Sequence, residues 1–171
     1  MLFLLLGVCL AVETLFAWNE LAWSRNALPP TLSYNLSNCA LAGVKMYKGQ
    51  VFVTVPRWRP GVPATLNVVD NQTGTLLPFP DYAANALDGG WLTYVQSMEI
   101  DSRGWMWILD VGRLNIFGGA PIVNLQPKLV IYDLNARCIV HVHKFPDQVF
   151  PMNNSFANDI VVDEKRGLAY M

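Results

Sequence analysis

The sequence predicts an all-β protein: a β-propeller of four-stranded blades, of which about two and a half are present. Three observations predict it. Three segments share one plan of strand, polar turn ending in glycine, and strand: Met46 to Val53, Ile100 to Asp110, and Val162 to Met171. Their glycines, Gly49, Gly104 and Gly167, recur at spacings of 55 and 63 residues, as expected where a hairpin turn needs a residue tolerant of positive φ. The second half of the unit repeats too. Leu66 to Asp70, a turn, and Leu77 to Pro80 match Leu129 to Asp133, a turn, and Val142 to Pro146, with Asp70 and Asp133 again 63 residues apart. Finally, no stretch beyond the N-terminus sustains a helical period. Four short strands every ~55–65 residues suit a propeller blade.

The expected blades cover roughly 40–85, 91–150 and 156–171, the last incomplete because Met171 falls inside a strand. The expectation is therefore a truncated ring with an apolar face and a strand edge left open.

Taken in order, Met1 to Val12 is an apolar run that meets Glu13. It is shorter than the ~20 residues of a membrane-spanning helix. It reads as a signal peptide over 1–17, cleaved after Ala17, with a buried N-terminal helix as the alternative. No other segment suggests a membrane anchor. With 53% apolar and 15% charged residues, the remainder suits a packed core, and the net charge of −1 offers no basic face for nucleic acid. Secretion agrees with three N-glycosylation acceptor patterns, at Asn35, Asn71 and Asn153, each among turn-forming residues. If Cys9 leaves with the leader, Cys39 and Cys138 remain as a candidate disulfide, with two lone thiols or pairing outside the chain as the alternatives. Trp18 to Trp23 could add an outer strand, and Pro29-Pro30 and Asn35 to Asn38 mark loops.

Val51 to Val55 is a β-branched and aromatic run suited to a strand buried on both faces, and Pro56 ends it. The loop that follows is stiffened by Pro56, Pro60 and Pro63, bears Arg57, Trp58 and Arg59, and leads to a strand over Thr65 to Val69. Arg57 and Trp58 are candidate ligand-binding residues. In the alternative, Trp58 plugs the loop and the arginines bond local carbonyls. Met106 alternates with Trp105 and Trp107, a pattern of core on both faces of a strand.

Polar residues at the start of inner strands would face a propeller's axial channel. Here these are Gln96 in the second blade and Asn158 and Asp159 in the third, and a carboxylate there could pair with a ligand ammonium. The alternative is that Asn158 and Asp159 cap the turn after Asn153 to Ser155. His141 and His143 share one face of a strand, but Cys138 faces the other way and no third ligand is visible, so no metal site or cofactor is expected. No phosphate-binding glycine loop or nucleophile elbow occurs.

Four stretches carry a family resemblance: FVTVPRWRPGVPATLN from Phe52, DSRGWMWILDVG from Asp101, PKLVIYDL from Pro127, and NDIVVD from Asn158. Together they resemble the major royal jelly and yellow proteins. One departure is Leu125-Gln126, where many members carry a cysteine ahead of the proline-lysine pair. The resemblance implies a secreted six-bladed propeller and a chain less than half the usual length. Some members bind small amines in the central cavity, and others are reported to convert dopachrome. The expectation is a protein that binds a small amine-type ligand or serves extracellular interactions, with a dopachrome-converting isomerase as the alternative. A metal-dependent, gluconolactonase-like hydrolase is a third reading, for which only Asn158 and Asp159 offer inner-strand ligands.

Overall fold

The computed structural model describes residues 13–118, 122–123, 125–151 and 155–171. In chain order the strands are β1 (Val44–Tyr47), β2 (Gln50–Thr54), β3 (Leu66–Val69), β4 (Leu76–Pro78), β5 (Val95–Ile100), β6 (Trp105–Asp110), β7 (Arg113–Leu114), β8 (Ile122–Val123), β9 (Lys128–Asp133), β10 (Cys138–Lys144), β11 (Val161–Asp163) and β12 (Leu168–Tyr170). Helix among the described residues is confined to one turn, α1 (Tyr82–Asn85), and two 3-10 turns, Arg25–Ala27 and Leu36–Asn38. The chain is all-β, as expected. None of its described helices is long and apolar enough to cross a membrane. Of the leader expected over 1–17, residues 1–12 lie outside the described residues, and in the rest Phe16 stacks on Trp18 with ring centroids 5.5 Å apart.

Strands β1 to β4 form one antiparallel meander, β5-β6-β9-β10 a second, and β11-β12 a hairpin, with the short pair β7-β8 inserted after β6. The aspartate recurrence has a physical cause. Asp70 accepts hydrogen bonds from the Gln72 and Thr73 amides, Asp133 from those of Asn135 and Ala136, and Asp101 from those of Arg103 and Trp105. Each carboxylate thus closes a hairpin turn by satisfying amides that the strand ladder leaves unpaired.

The second sheet is apolar on both faces because residues alternate across it. Met98, Met106, Ile108 and Val130 pack against Phe52 and Leu66 of the first sheet. Leu109 and Leu129 on the opposite face meet Ala157 and Ile160 ahead of β11. Full burial of each of the larger of these side chains contributes about 1.5–3 kcal/mol relative to exposure. Met106 is fully buried as expected, whereas Trp105 is only half-buried, its ring 3.9 Å beneath the Arg103 guanidinium. That Arg103 in turn clamps Asp101 through Nε at 3.1 Å and Nη2 at 2.6 Å.

The outer face of the first sheet is covered from the N-terminal side, where Leu21 and Trp23 join Val51, Val53 and Leu76. The outer strand expected over Trp18 to Trp23 is reduced to one parallel bridge between Trp23 and Leu76. The two indoles anchor the segment in place of a longer ladder: Trp18 Nε1 donates to Gly74 O at 2.8 Å and Trp23 Nε1 to Asn67 Oδ1 at 2.7 Å.

Candidate ligand-binding site

The edge strands β1 and β5 and the segment entering β11 are tied together by polar side chains. Thr54, fully buried, donates its hydroxyl to Gln96 O at 3.0 Å and accepts the Gly43 amide at 2.7 Å. Across the same boundary Lys45 Nζ meets Glu99 Oε2 at 2.8 Å. Ser97 Oγ then donates to Asp159 Oδ1 at 2.6 Å, and Gln96 Nε2 reaches Asn158 Oδ1 at 3.4 Å. These contacts border an open polar cavity of about 310 Å³ lined by 42–45, 96–98, Asn158 and Asp159.

Gln96 is 8% exposed, and its amide is oriented by its neighbours. Trp58 Nε1 and the Tyr94 hydroxyl both donate to its Oε1, at 3.1 and 3.0 Å. Burial pushes the Tyr94 phenol well above its ordinary range, so at neutral pH it keeps the proton it donates. The Asp159 carboxyl is held below its usual range by the Ser97 hydroxyl and by the Ile160 amide at 2.9 Å, with a further contribution from the charge of Lys45. Its Oδ2 accepts no hydrogen bond from the described residues.

Of the five candidate residues, the structure therefore brings four together: Trp58, Gln96, Asn158 and Asp159. Arg57 stands apart, and its candidacy is corrected. The side chain is 3% exposed, and all five of its N–H groups go to backbone carbonyls. Nε donates to Val62, Nη1 to Leu92 and Thr93, and Nη2 to Pro63 and Asn85, at 2.5–3.4 Å. No donor remains for a ligand, because a guanidinium has only five. Burial lowers its pKa to about 10, which still leaves it charged at neutral pH.

Sequence reasoning passed over the residues that brace this region. Buried Asn85 accepts the Thr65 and Leu66 amides on Oδ1 and donates from Nδ2 to Phe79 O and Asp81 O. Asp110, also fully buried, accepts the Thr93, Tyr94 and Gly112 amides and pairs with Lys128 at 2.8 Å. Asn85 belongs to no recognisable motif, so no local signal could have found it, whereas Asp110 lies within the DSRGWMWILDVG stretch, whose pattern marks the position without revealing its partners.

His141 and His143 stack at 6.5 Å on β10, an exposed edge strand. No group of three metal-ligating side chains occurs among the described residues. Cys39 and Cys138 are not joined: each is a free thiol, the first half-buried and donating to Asn35 O, the second exposed on β10. Asn35 and Asn71 are exposed, Asn35 capping a 3-10 turn and Asn71 donating to Gly49 O. Asn153 lies outside the described residues.

Comparison with known proteins joins this geometry to a lineage. The family described as major royal jelly protein matches residues 93–171. Protein yellow of Drosophila pseudoobscura pseudoobscura is 30% identical over 162 residues, covering 86% of this chain and 28% of its own length. The same protein of Drosophila simulans is 31% identical over 165 residues, covering 86% and 29%. That of Drosophila melanogaster is 33% identical over 138 residues, covering 76% and 25%. The chain thus spans between a quarter and a third of the length of these relatives. The matched region includes the second sheet and the segment bearing Asn158 and Asp159, and the chain belongs to the major royal jelly and yellow protein family.

Proposed function

We propose that the chain contributes to a secreted protein of propeller architecture that binds a small amine without transforming it, in the polar cavity between β1, β5 and β11. The observation that carries this reading is Asp159. Its carboxylate is held in the ionised form beside two neutral amides, Gln96 and Asn158, while the nearby Lys45 is already paired with Glu99. An ammonium group would supply the missing counter-charge and donate to Oδ2, and such charge-assisted bonds are stronger than neutral ones. The indole of Trp58 does not line this cavity; its bond to Gln96 Oε1 fixes the orientation of the amide that does.

The test is calorimetric titration of the chain with dopamine and with serotonin, beside an Asp159→Asn variant and a dopachrome absorbance assay. Saturable heat that falls about tenfold or more in the variant is expected, the range of one lost charge-assisted hydrogen bond. Unchanged affinity in Asp159→Asn would remove the site. Dopachrome decay above a heat-killed control would replace binding with isomerisation.

A further inference from the structure

A second cavity lies away from the amine cavity, where the β1-β2 turn faces the β9-β10 turn. Its volume is about 450 Å³. Its apolar wall is formed by Phe52, Val68, Leu77, Phe79, Pro80 and Leu134, and its polar side by Tyr47, Lys48, Asn135 and Arg137.

Both cations occupy unusual backbone positions. Lys48 has φ +47° and Arg137 φ +57°, a left-handed conformation that glycine, asparagine and aspartate adopt far more cheaply than long side chains. The comparison between the two sheets is direct. In the β3-β4 turn the Gly74 amide donates to Asp70 O at 2.8 Å with φ +70°, and in the β9-β10 turn the Arg137 amide donates to Asp133 O at 2.7 Å. The same turn is built once with glycine and once with arginine. Backbone strain retained in this way points to a role for the side chain.

The two turns are also locked together. Lys48 Nζ and the Tyr47 hydroxyl both donate to Asn135 Oδ1, at 2.7 and 3.2 Å, and Asn135 Nδ2 donates to Arg103 O at 2.8 Å. The ion pairs of the described residues are Lys45 with Glu99, Arg103 with Asp101, and Lys128 with Asp110, so neither Lys48 nor Arg137 has a carboxylate partner among them. Two cations beside an apolar wall complement a molecule that is apolar along its length and anionic at one end.

We infer that this cavity is a binding site for an acyl chain ending in a carboxylate, with the head group held by Lys48 and Arg137. The site is independent of the amine cavity.

The test is calorimetric titration of the full chain with decanoate and with decanol, repeated on a Lys48→Gly/Arg137→Gly double variant whose fold is followed by urea denaturation. Glycine relieves the left-handed strain, so the variant is expected to be at least as stable as the parent. Decanoate is expected to bind at one site, decanol about tenfold more weakly, and the variant to lose a similar factor for decanoate, the scale of losing bonds to a charged group. Absence of decanoate binding, equal affinity for decanol, or unchanged decanoate affinity in a folded variant would each overturn the inference.

Discussion

The Ser97 hydroxyl donates to Asp159 Oδ1 at 2.6 Å and so links β5 to the segment entering β11 across 62 residues of sequence. This bond is the first cause of the lowered Asp159 pKa. A depressed carboxyl contributes stability above its unfolded value of about 3.9 and loses that contribution as pH falls through the folded value. Ser97→Ala is therefore expected to raise the Asp159 titration midpoint, measured by carbon-detected NMR of the carboxyl. Amine binding should in turn fade at a higher pH than in the parent. A midpoint that stays in place would show that the hydroxyl does not hold the charge.

Replacement of Arg57 should damage the fold and spare the ligand. Lysine has three N–H donors and no planar fork, so Arg57→Lys leaves at least two buried carbonyls unsatisfied and should cost about 2 kcal/mol or more. Urea denaturation measures the loss. Amine affinity of the folded variant should match the parent, and a selective loss of binding would return Arg57 to the site.

Asp110 and Lys128 form an unequal pair. Asp110→Ala strands the largely buried Lys128 ammonium, with its side chain 11% exposed, and deprives three backbone amides of their acceptor. Loss of about 3–5 kcal/mol is expected, as for other broken buried pairs. Lys128→Met leaves those amides satisfied and should cost less. The reverse order in chemical denaturation would contradict the assignment.

Thiol labelling should separate the two described cysteines. Burial pushes Cys39 up to about 11, while Cys138 is exposed. At pH 8 Ellman's reagent should react with Cys138 rapidly and with Cys39 slowly, because the thiolate is the nucleophile. In a Cys9→Ser background, Cys138→Ser should abolish the fast phase. Persistence of that phase would place a reactive thiol at Cys39.

The repeat was legible because it is written in local chemistry. Glycine at Gly49 and Gly104 and aspartate at Asp70 and Asp133 are needed by turns that close within a few residues. The alternation through Trp105, Met106 and Trp107 follows from the two-residue period of a strand. Gln96, Asn158 and Asp159 could be placed together for the same reason, since aligning the repeats carries them to equivalent positions, Gln96 at the start of β5 and the other two just ahead of β11.

Arg57 shows where such reading stops. Its sequence neighbourhood is equally compatible with a ligand clamp and a structural plug, and its partners Asn85, Leu92 and Thr93 lie 28 to 36 residues away. The amino-acid sequence by itself determined the strand class, the turn positions and the family, because periodicity and turn chemistry act between near neighbours. Only the tertiary structure decided that Arg57 is buried among carbonyls, that Ser97 holds Asp159, and that Lys48 and Arg137 share one cavity, because these pairings arise when sheets pack and no local pattern encodes them.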